Sequence, residues 1–211
     1  QWKVMPFGLC NAPASFQRMM DVILAGLKWN SALVYLDDVI IYSDSFEKHL
    51  ADLQEVFDRL RETNLVLSPS KCTLCSPRVK YLGHIVSKDG IECDPKKLES
   101  IRDFPVPTNI TEVRSFLGLA GYYRRFIRHF STRAMPIIEL TKDKVPFLWT
   151  EKCEESFCDL KKALINAPIL RHPDFTRPFI VDTDACQYGL GAVLMQIDDE
   201  GNEYVDRKSV V

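Results

Sequence analysis

Asp37 and Asp38 stand side by side between two runs of strand-forming residues, Ala32-Leu33-Val34-Tyr35 before them and Val39-Ile40-Ile41-Tyr42 after. The β-branched and aromatic content of both runs predicts strands, which puts the aspartates at the tip of a hairpin. Asp is poor inside a strand, and two neighbouring carboxylates repel unless a turn or a cation relieves them. Two hard oxygen donors on a rigid tip suit Mg²⁺, which accepts carboxylates together with water and substrate phosphates. An acidic β-turn without chemistry is the plainer alternative, because Asp is an ordinary turn residue. A second acidic pair, Asp182 and Asp184, falls two residues apart on one face of a strand pattern at 179–184.

Cys72 and Cys75 form a Cys-x-x-Cys, with His84 and Cys93 downstream. Their spacing fits no common zinc template, and free thiols are the expected state. Between Thr111 and Arg133 five arginines (Arg114, Arg124, Arg125, Arg128 and Arg133) face one acid, Glu112. That local excess suits a phosphate backbone, and it equally suits a solvated helix face.

The elements that must position these groups follow from the pattern. Residues 1–16 are rich in Gly, Pro and small side chains, and the stretch from Phe16 to Leu27 reads as helix. Phe46, Leu50, Leu53, Phe57 and Leu60 recur at helical spacing, with Asp44 and Glu47 resembling a starting cap and Asn64 a stop. Short strands are predicted at 65–67 and 81–86, with an Asp89-Gly90 turn leading into Ile91. Prolines 95, 105 and 107 mark a boundary. Val113, Phe116, Leu117, Ala120 and Ile127 then outline a helical region capped by Thr108 or Asn109, and a further helix covers 154–164. Pro168, Pro173 and Pro178 mark a second boundary, followed by strands at 179–184 and 189–196 and a turn at 198–202.

The 211 residues hold enough apolar content, 46%, for a sizeable core, and 27% charge excludes a disordered composition. No apolar run approaches a membrane span, and no signal-peptide pattern opens the sequence. Seven scattered cysteines point to a reducing, intracellular compartment rather than secretion. A start at Gln1, directly in an apolar segment, reads as a piece of something longer.

Taken in order, the motifs resemble the Pol polyprotein of gypsy-type LTR retrotransposons, reverse transcriptase running into RNase H. Met5-Pro6-Phe7-Gly8-Leu9-Cys10-Asn11-Ala12-Pro13-Ala14-Ser15-Phe16-Gln17 is similar to the segment that grips template and incoming nucleotide. Tyr35-Leu36-Asp37-Asp38 resembles the catalytic hairpin, residues 49–72 the helix and turn after it, and Tyr81-Leu82-Gly83-His84-Ile85-Val86-Ser87 the primer-grip hairpin. Phe116-Leu117-Gly118-Leu119-Ala120-Gly121-Tyr122-Tyr123-Arg124-Arg125-Phe126-Ile127 is similar to thumb and connection. Thr183-Asp184-Ala185-Cys186 and Gly189-Leu190-Gly191-Ala192-Val193-Leu194 resemble the opening of RNase H, with Cys186 where the family usually has Ser.

The resemblance implies an α+β fold: a partial palm with an antiparallel sheet over 1–94, a mostly helical thumb/connection over 95–175, and the start of an RNase H-like domain over 176–211. It implies two-metal nucleotidyl transfer with Mg²⁺ or Mn²⁺, and a template–primer and dNTPs as partners within the rest of the Pol polyprotein. Asp37 is then the main metal-bridging carboxylate, Asp38 its support and Asp184 the first RNase H ligand, the Thr-Asp-Ala pattern selecting it over Asp182. Phe7, Gly8, Gln17, Tyr35 and Lys71 fall to nucleotide and template, and Tyr123, Arg124, Arg125 and Arg128 to the nucleic-acid backbone. The family's polymerase needs one more aspartate from a strand upstream, and its RNase H needs further acids downstream. The 211 residues alone are therefore expected to be inactive. A non-catalytic or domesticated binding remnant is the alternative.

Overall fold

Pro13 in the first turn and an unbroken apolar stripe start a helix earlier than the periodicity suggested, since Pro costs nothing where the N–H would be unbonded anyway. In the computed structural model this helix, α1, is Ala12–Ile23. The structure describes residues 4–6, 8–186, 189–201 and 203–210, with backbone alone for 184–186, 189–191 and 203–210. It divides into two units, Gln1–Leu82 and Gly83–Val211.

In the first unit β1 (Ala32–Tyr35) pairs antiparallel with β2 (Asp38–Ile41), Ala32 facing Ile41 and Tyr35 facing Asp38. α2 (Phe46–Glu62) follows. Its cap is Ser45, whose hydroxyl accepts from the Lys48 amide at 3.2 Å, and not Asp44, which is left to pair with the Lys48 ammonium. Met20, Leu24, Leu27, Ala32, Val34, Val56 and Leu60 form the core, so α1, the inward face of the hairpin and α2 close on one another. The strand expected at 65–67 does not form. Val66 is 94% exposed and Leu65 turns into the core, so this stretch is an extended connector without a ladder. The expected strand over 81–86 is broken into β3 (Arg78–Tyr81) and β4 (His84–Ser87), because Leu82 and Gly83 between them both take positive φ, 46° and 69°.

The second unit begins with β4, which pairs antiparallel with β5 (Gly90–Cys93). Two helices escaped the sequence pattern. Pro95, a boundary by its residue type, opens α3 (Pro95–Arg102) under an Asp94 cap. α5 (Phe130–Glu139) carries Pro136 in its interior. Between them α4 (Ile110–Tyr122) stops before Ile127. Thr108 and Asn109 act at its start together. Asn109 Oδ1 accepts from the Glu112 amide at 3.0 Å, and Glu112 Oε2 accepts from the Thr108 amide at 2.7 Å, a capping pair that reaches one residue beyond the N-cap.

α6 (Glu151–Ile165) completes a helical core in which Phe116 is fully buried between Phe157, at 4.6 Å between ring centroids, and Phe104, at 5.4 Å. Beyond α6 the chain returns to β5. The Ile91 amide donates to the Leu170 carbonyl at 2.8 Å, and the Leu170 amide donates back at 3.0 Å. β6 (Ile180–Cys186), β7 (Gly189–Ile197) and β8 (Glu203–Val210) form an antiparallel sheet in that order. Helices and separate small antiparallel sheets make the fold α+β, as expected. No helix among the described residues is long and apolar enough to cross a membrane.

Candidate active site

The turn that joins β1 to β2 is Leu36-Asp37, with Leu36 at φ 54°. A branched side chain in the left-handed region costs about 1–3 kcal/mol unless its surroundings hold it there. Gln17 on α1 supplies the hold. Its Oε1 accepts the Leu36 amide at 2.6 Å, while its Nε2 donates to Asp21 at 3.0 Å and, more weakly, to the Val34 carbonyl at 3.4 Å. Lys28 fixes Asp21 in turn at 2.6 Å. The side chain of Gln17 is thus engaged with the hairpin backbone, a contact between positions far apart in sequence that no local pattern announces.

Asp37 and Asp38 are exposed at this tip, and neither forms an ion pair with a protein cation among the described residues. Two adjacent, un-neutralised carboxylates form a donor set that a divalent cation fits. No group of three or more His, Cys, Asp or Glu residues able to hold a metal occurs among the described residues. Both aspartates line a cavity of about 530 Å³ together with Lys71, His49 and Tyr81, over an apolar wall from β2, α2 and the 65–67 connector. The structure therefore brings Lys71 to the cavity of the aspartates across more than thirty residues of chain. Tyr81 was not singled out in the sequence. Burial raises its phenol above the ordinary range, and the nearby Asp38 charge adds to that.

Tyr35 is 55% exposed, at the register position opposite Asp38. Gly8 is exposed at φ 88° with open space where a Cβ would stand. Phe7 lies outside the described residues. Asp184 belongs to β6, opposite Gly191 in β7, and its side chain lies outside the described residues.

In the second unit the two tyrosines of the Arg-rich segment part company. Tyr123 is 1% exposed, and its hydroxyl donates to the Gly83 carbonyl at 2.6 Å. A side chain so enclosed holds the turn before β4, and the expected nucleic-acid contact from Tyr123 is corrected to a packing role. The exposed ring is Tyr122, 51% accessible and stacked on His84 with centroids 5.3 Å apart. Arg124 and Arg128 are exposed, whereas Arg125 is half-buried and donates toward His84 Nε2 at 3.4 Å. Cys93, opposite His84 in the ladder, has its thiol pushed up to about 12 by burial.

Burial first, and the Arg125 charge second, hold the His84 imidazole down to about 4. An unfolded histidine titrates near 6.5. As pH falls from about 6.5 toward 4 the unfolded chain binds the proton first, so stability declines through that window and levels off below it. The loss approaches about 3 kcal/mol at its limit. Urea midpoints recorded from pH 7.5 to 4 are expected to fall for the parent and to fall less for His84→Phe. Parallel curves would remove His84 as the cause.

Residues 1–86 match the family described as reverse transcriptase (RNA-dependent DNA polymerase), and residues 149–207 match the RNase H-like domain found in reverse transcriptase. Solved structures agree on the fold. A foamy viral protease-reverse transcriptase dRH in complex with double-stranded DNA superposes with a TM-score of 0.84 at 24% identity, covering 99% of this chain and 36% of that one. The same viral protein in complex with an RNA/DNA hybrid gives 0.82 over 100% of this chain and 28% of that one. Two stretches of the chain thus match a reverse transcriptase and an RNase H-like domain, and its fold is that of solved reverse transcriptases.

More particularly, the chain is similar to the Pol polyproteins of transposons, gypsy among them. It is 46% identical over 194 residues to the retrovirus-related Pol polyprotein from transposon 297 of Drosophila melanogaster, covering 91% of this chain and 18% of that polyprotein. It is 40% identical over 204 residues to the one from transposon gypsy of the same organism, covering 91% and 20%. It is 32% identical to the transposon Tf2-3 polyprotein of Schizosaccharomyces pombe, covering 97% and 15%. The chain thus spans about a fifth or less of the length of these relatives.

Proposed function

We propose that these residues contribute the catalytic hairpin, the primer-grip turn and the thumb of an RNA-directed DNA polymerase, and the opening strands of its RNase H. The observation that carries the reading is the pair of un-neutralised carboxylates, Asp37 and Asp38, on a backbone turn held by Gln17 and sharing its cavity with Lys71. Asp37 and Asp38 would hold Mg²⁺ or Mn²⁺ with a third carboxylate. Bound there, the cations would lower the pKa of the attacking hydroxyl and offset charge on the phosphates. Lys71 offers the triphosphate of a dNTP a cation across the cavity. Tyr35 presents a ring to the primer terminus, and Gly8 leaves room for the strand or nucleotide to approach the backbone.

The natural division under this reading is palm over 1–94, thumb and connection over 95–175, and RNase H-like from 176, with Asp184 as its first metal ligand. A template–primer and the rest of the Pol polyprotein complete the machine in a reducing, intracellular setting.

Removing one carboxylate from such a set costs orders of magnitude in rate, because charge balance and metal spacing go together. A polypeptide of these 211 residues is therefore expected to extend no primer and cleave no RNA–DNA hybrid with Mg²⁺ or Mn²⁺. Activity that Asp37→Asn or Asp184→Asn abolishes would show the set to be complete without further carboxylates, and would overturn that expectation.

A further inference from the structure

Cys72 and Cys75 are both exposed, and both line the cavity that holds Asp37, Asp38 and Lys71. The proposed polymerase chemistry does not use these two thiols. The other cysteines among the described residues are placed differently. Cys93 and Cys153 are buried and Cys158 is half-buried, while Cys10 is exposed with Cys72 as the next cysteine along the chain. Burial raises the Cys93 and Cys158 thiols, which withholds the reactive thiolate at neutral pH.

The backbone anchors one thiol of the pair and bends the chain at the other. A short 3-10 turn, Pro69–Lys71, sets Cys72, whose amide donates to the Pro69 carbonyl at 3.1 Å and whose thiol donates to the Ser68 carbonyl at 3.3 Å. Residues 72–77 then belong to no helix or strand. Cys75 takes φ 52°, the left-handed region that a residue with a Cβ seldom enters. No ladder has to break for the segment between the two cysteines to close. A β-turn brings residues three apart to within about 7 Å between Cα atoms, which is the reach of a disulfide. A structural zinc site takes four donors, and no group of three or more His, Cys, Asp or Glu residues able to hold a metal occurs among the described residues. Disulfide exchange needs only the two sulfurs.

We propose that Cys72 and Cys75 form a thiol modification site that exchanges with low-molecular-weight disulfides. The thiolate of one cysteine attacks a sulfur of the small disulfide, whose S–S bond breaks, and the first small thiol leaves as a mixed disulfide forms. The thiolate of the other cysteine attacks the protein sulfur of that mixed disulfide and expels the second small thiol. Two protein thiols are oxidised, one small disulfide is reduced to two thiols, and the two protons released by the cysteines end on them. Transient disulfides of this kind occur in reducing compartments as sensors of oxidation. Both the mixed disulfide and the bridge lie in the wall that Lys71 shares, so oxidation of the pair changes the cavity of the aspartates itself. The exchange rests on the two thiols and their loop, whatever the cavity binds.

The test incubates the reduced 211-residue chain with glutathione disulfide, blocks the remaining thiols with an alkylating reagent, and weighs the tryptic peptides. Cleavage after Lys71 and Arg78 releases residues 72–78 with both thiols and no other cysteine. That peptide is expected to escape alkylation, to be lighter by two hydrogens, and to return to the dithiol with dithiothreitol. The bridged form should outnumber its glutathione adduct by on the order of tenfold, because the second thiol is held at a high effective concentration. Cys10 should stop at the adduct. Cys72→Ser should trap the adduct on Cys75, and Cys75→Ser should trap it on Cys72. Separate adducts on both cysteines of the parent, with no bridge, overturn the dithiol. An unreacted pair beside a modified Cys10 overturns the site, and a bridge from either cysteine to a third overturns the pairing.

Discussion

Gly90→Ala is expected to destabilise the second unit by about 3 kcal/mol or more, read as a drop in the urea midpoint. Gly90 takes φ 138°, a region that side chains scarcely enter, and a Cβ there would stand 2.2 Å from the Leu170 carbonyl oxygen and 2.9 Å from its carbon. Those are backbone atoms, so no rotamer change relieves the clash. The connector must move away and give up both hydrogen bonds between Ile91 and Leu170. Leu170 is itself buried in the helical core, so the displacement also opens apolar packing. The contact between His172 Nε2 and the Ser87 carbonyl, at 2.8 Å, belongs to the same seam and should loosen with it. Gly201→Ala is the matched control. That residue also has positive φ, at 84°, but open space around the missing Cβ, so only the backbone strain of about 1 kcal/mol applies. Equal losses in the two variants would mean that the Leu170 contact contributes nothing.

Phe116→Ala should cost about 3–5 kcal/mol and lower Tm by on the order of 10 °C. The ring is fully buried and meets Phe104 on one side and Phe157 on the other, so it joins α4, the stretch after α3, and α6. Truncation leaves a cavity between three elements whose other contacts hold them apart. Collapse would have to break the Trp149–Phe157 edge contact or draw Lys161 off its bond to the Phe104 carbonyl. Phe116→Leu should lose less than half as much, because most of the volume remains. A Phe116→Ala protein with the parent midpoint would show that α4 does not depend on this ring.

Much of the local chemistry could be read from the residues themselves. The β-branched and aromatic runs around Asp37 and Asp38 predict the hairpin and its tip, and the stripe from Phe46 to Leu60 predicts α2 almost to the residue. Punctuation misled where one residue type serves two purposes. Pro95 reads as a boundary, yet at the first position of a helix it is a starting residue, and α3 was lost with it. Val66 has the propensity of a strand but no neighbour to pair with, and pairing is not a local property.

The same limit governs the site. Tyr122 and Tyr123 are adjacent and chemically identical, and only the packing of His84 and Gly83 decides which faces solvent and which faces the core. Gln17 on the turn and Lys71 on the cavity are likewise contacts that the fold creates.

The bent tip at Leu36 also bears on how a ligand is received. Its unfavourable backbone angle is held by the bond from its amide to Gln17. The conformational entropy of fixing that turn is therefore met during folding and does not subtract from affinity later. Under the proposed metal-binding role, a cation reaching Asp37 and Asp38 would meet two carboxylates on a turn whose backbone is already held. Such preorganisation would rest on a single amide side chain on α1, so the affinity of the proposed site would be set partly outside the tip.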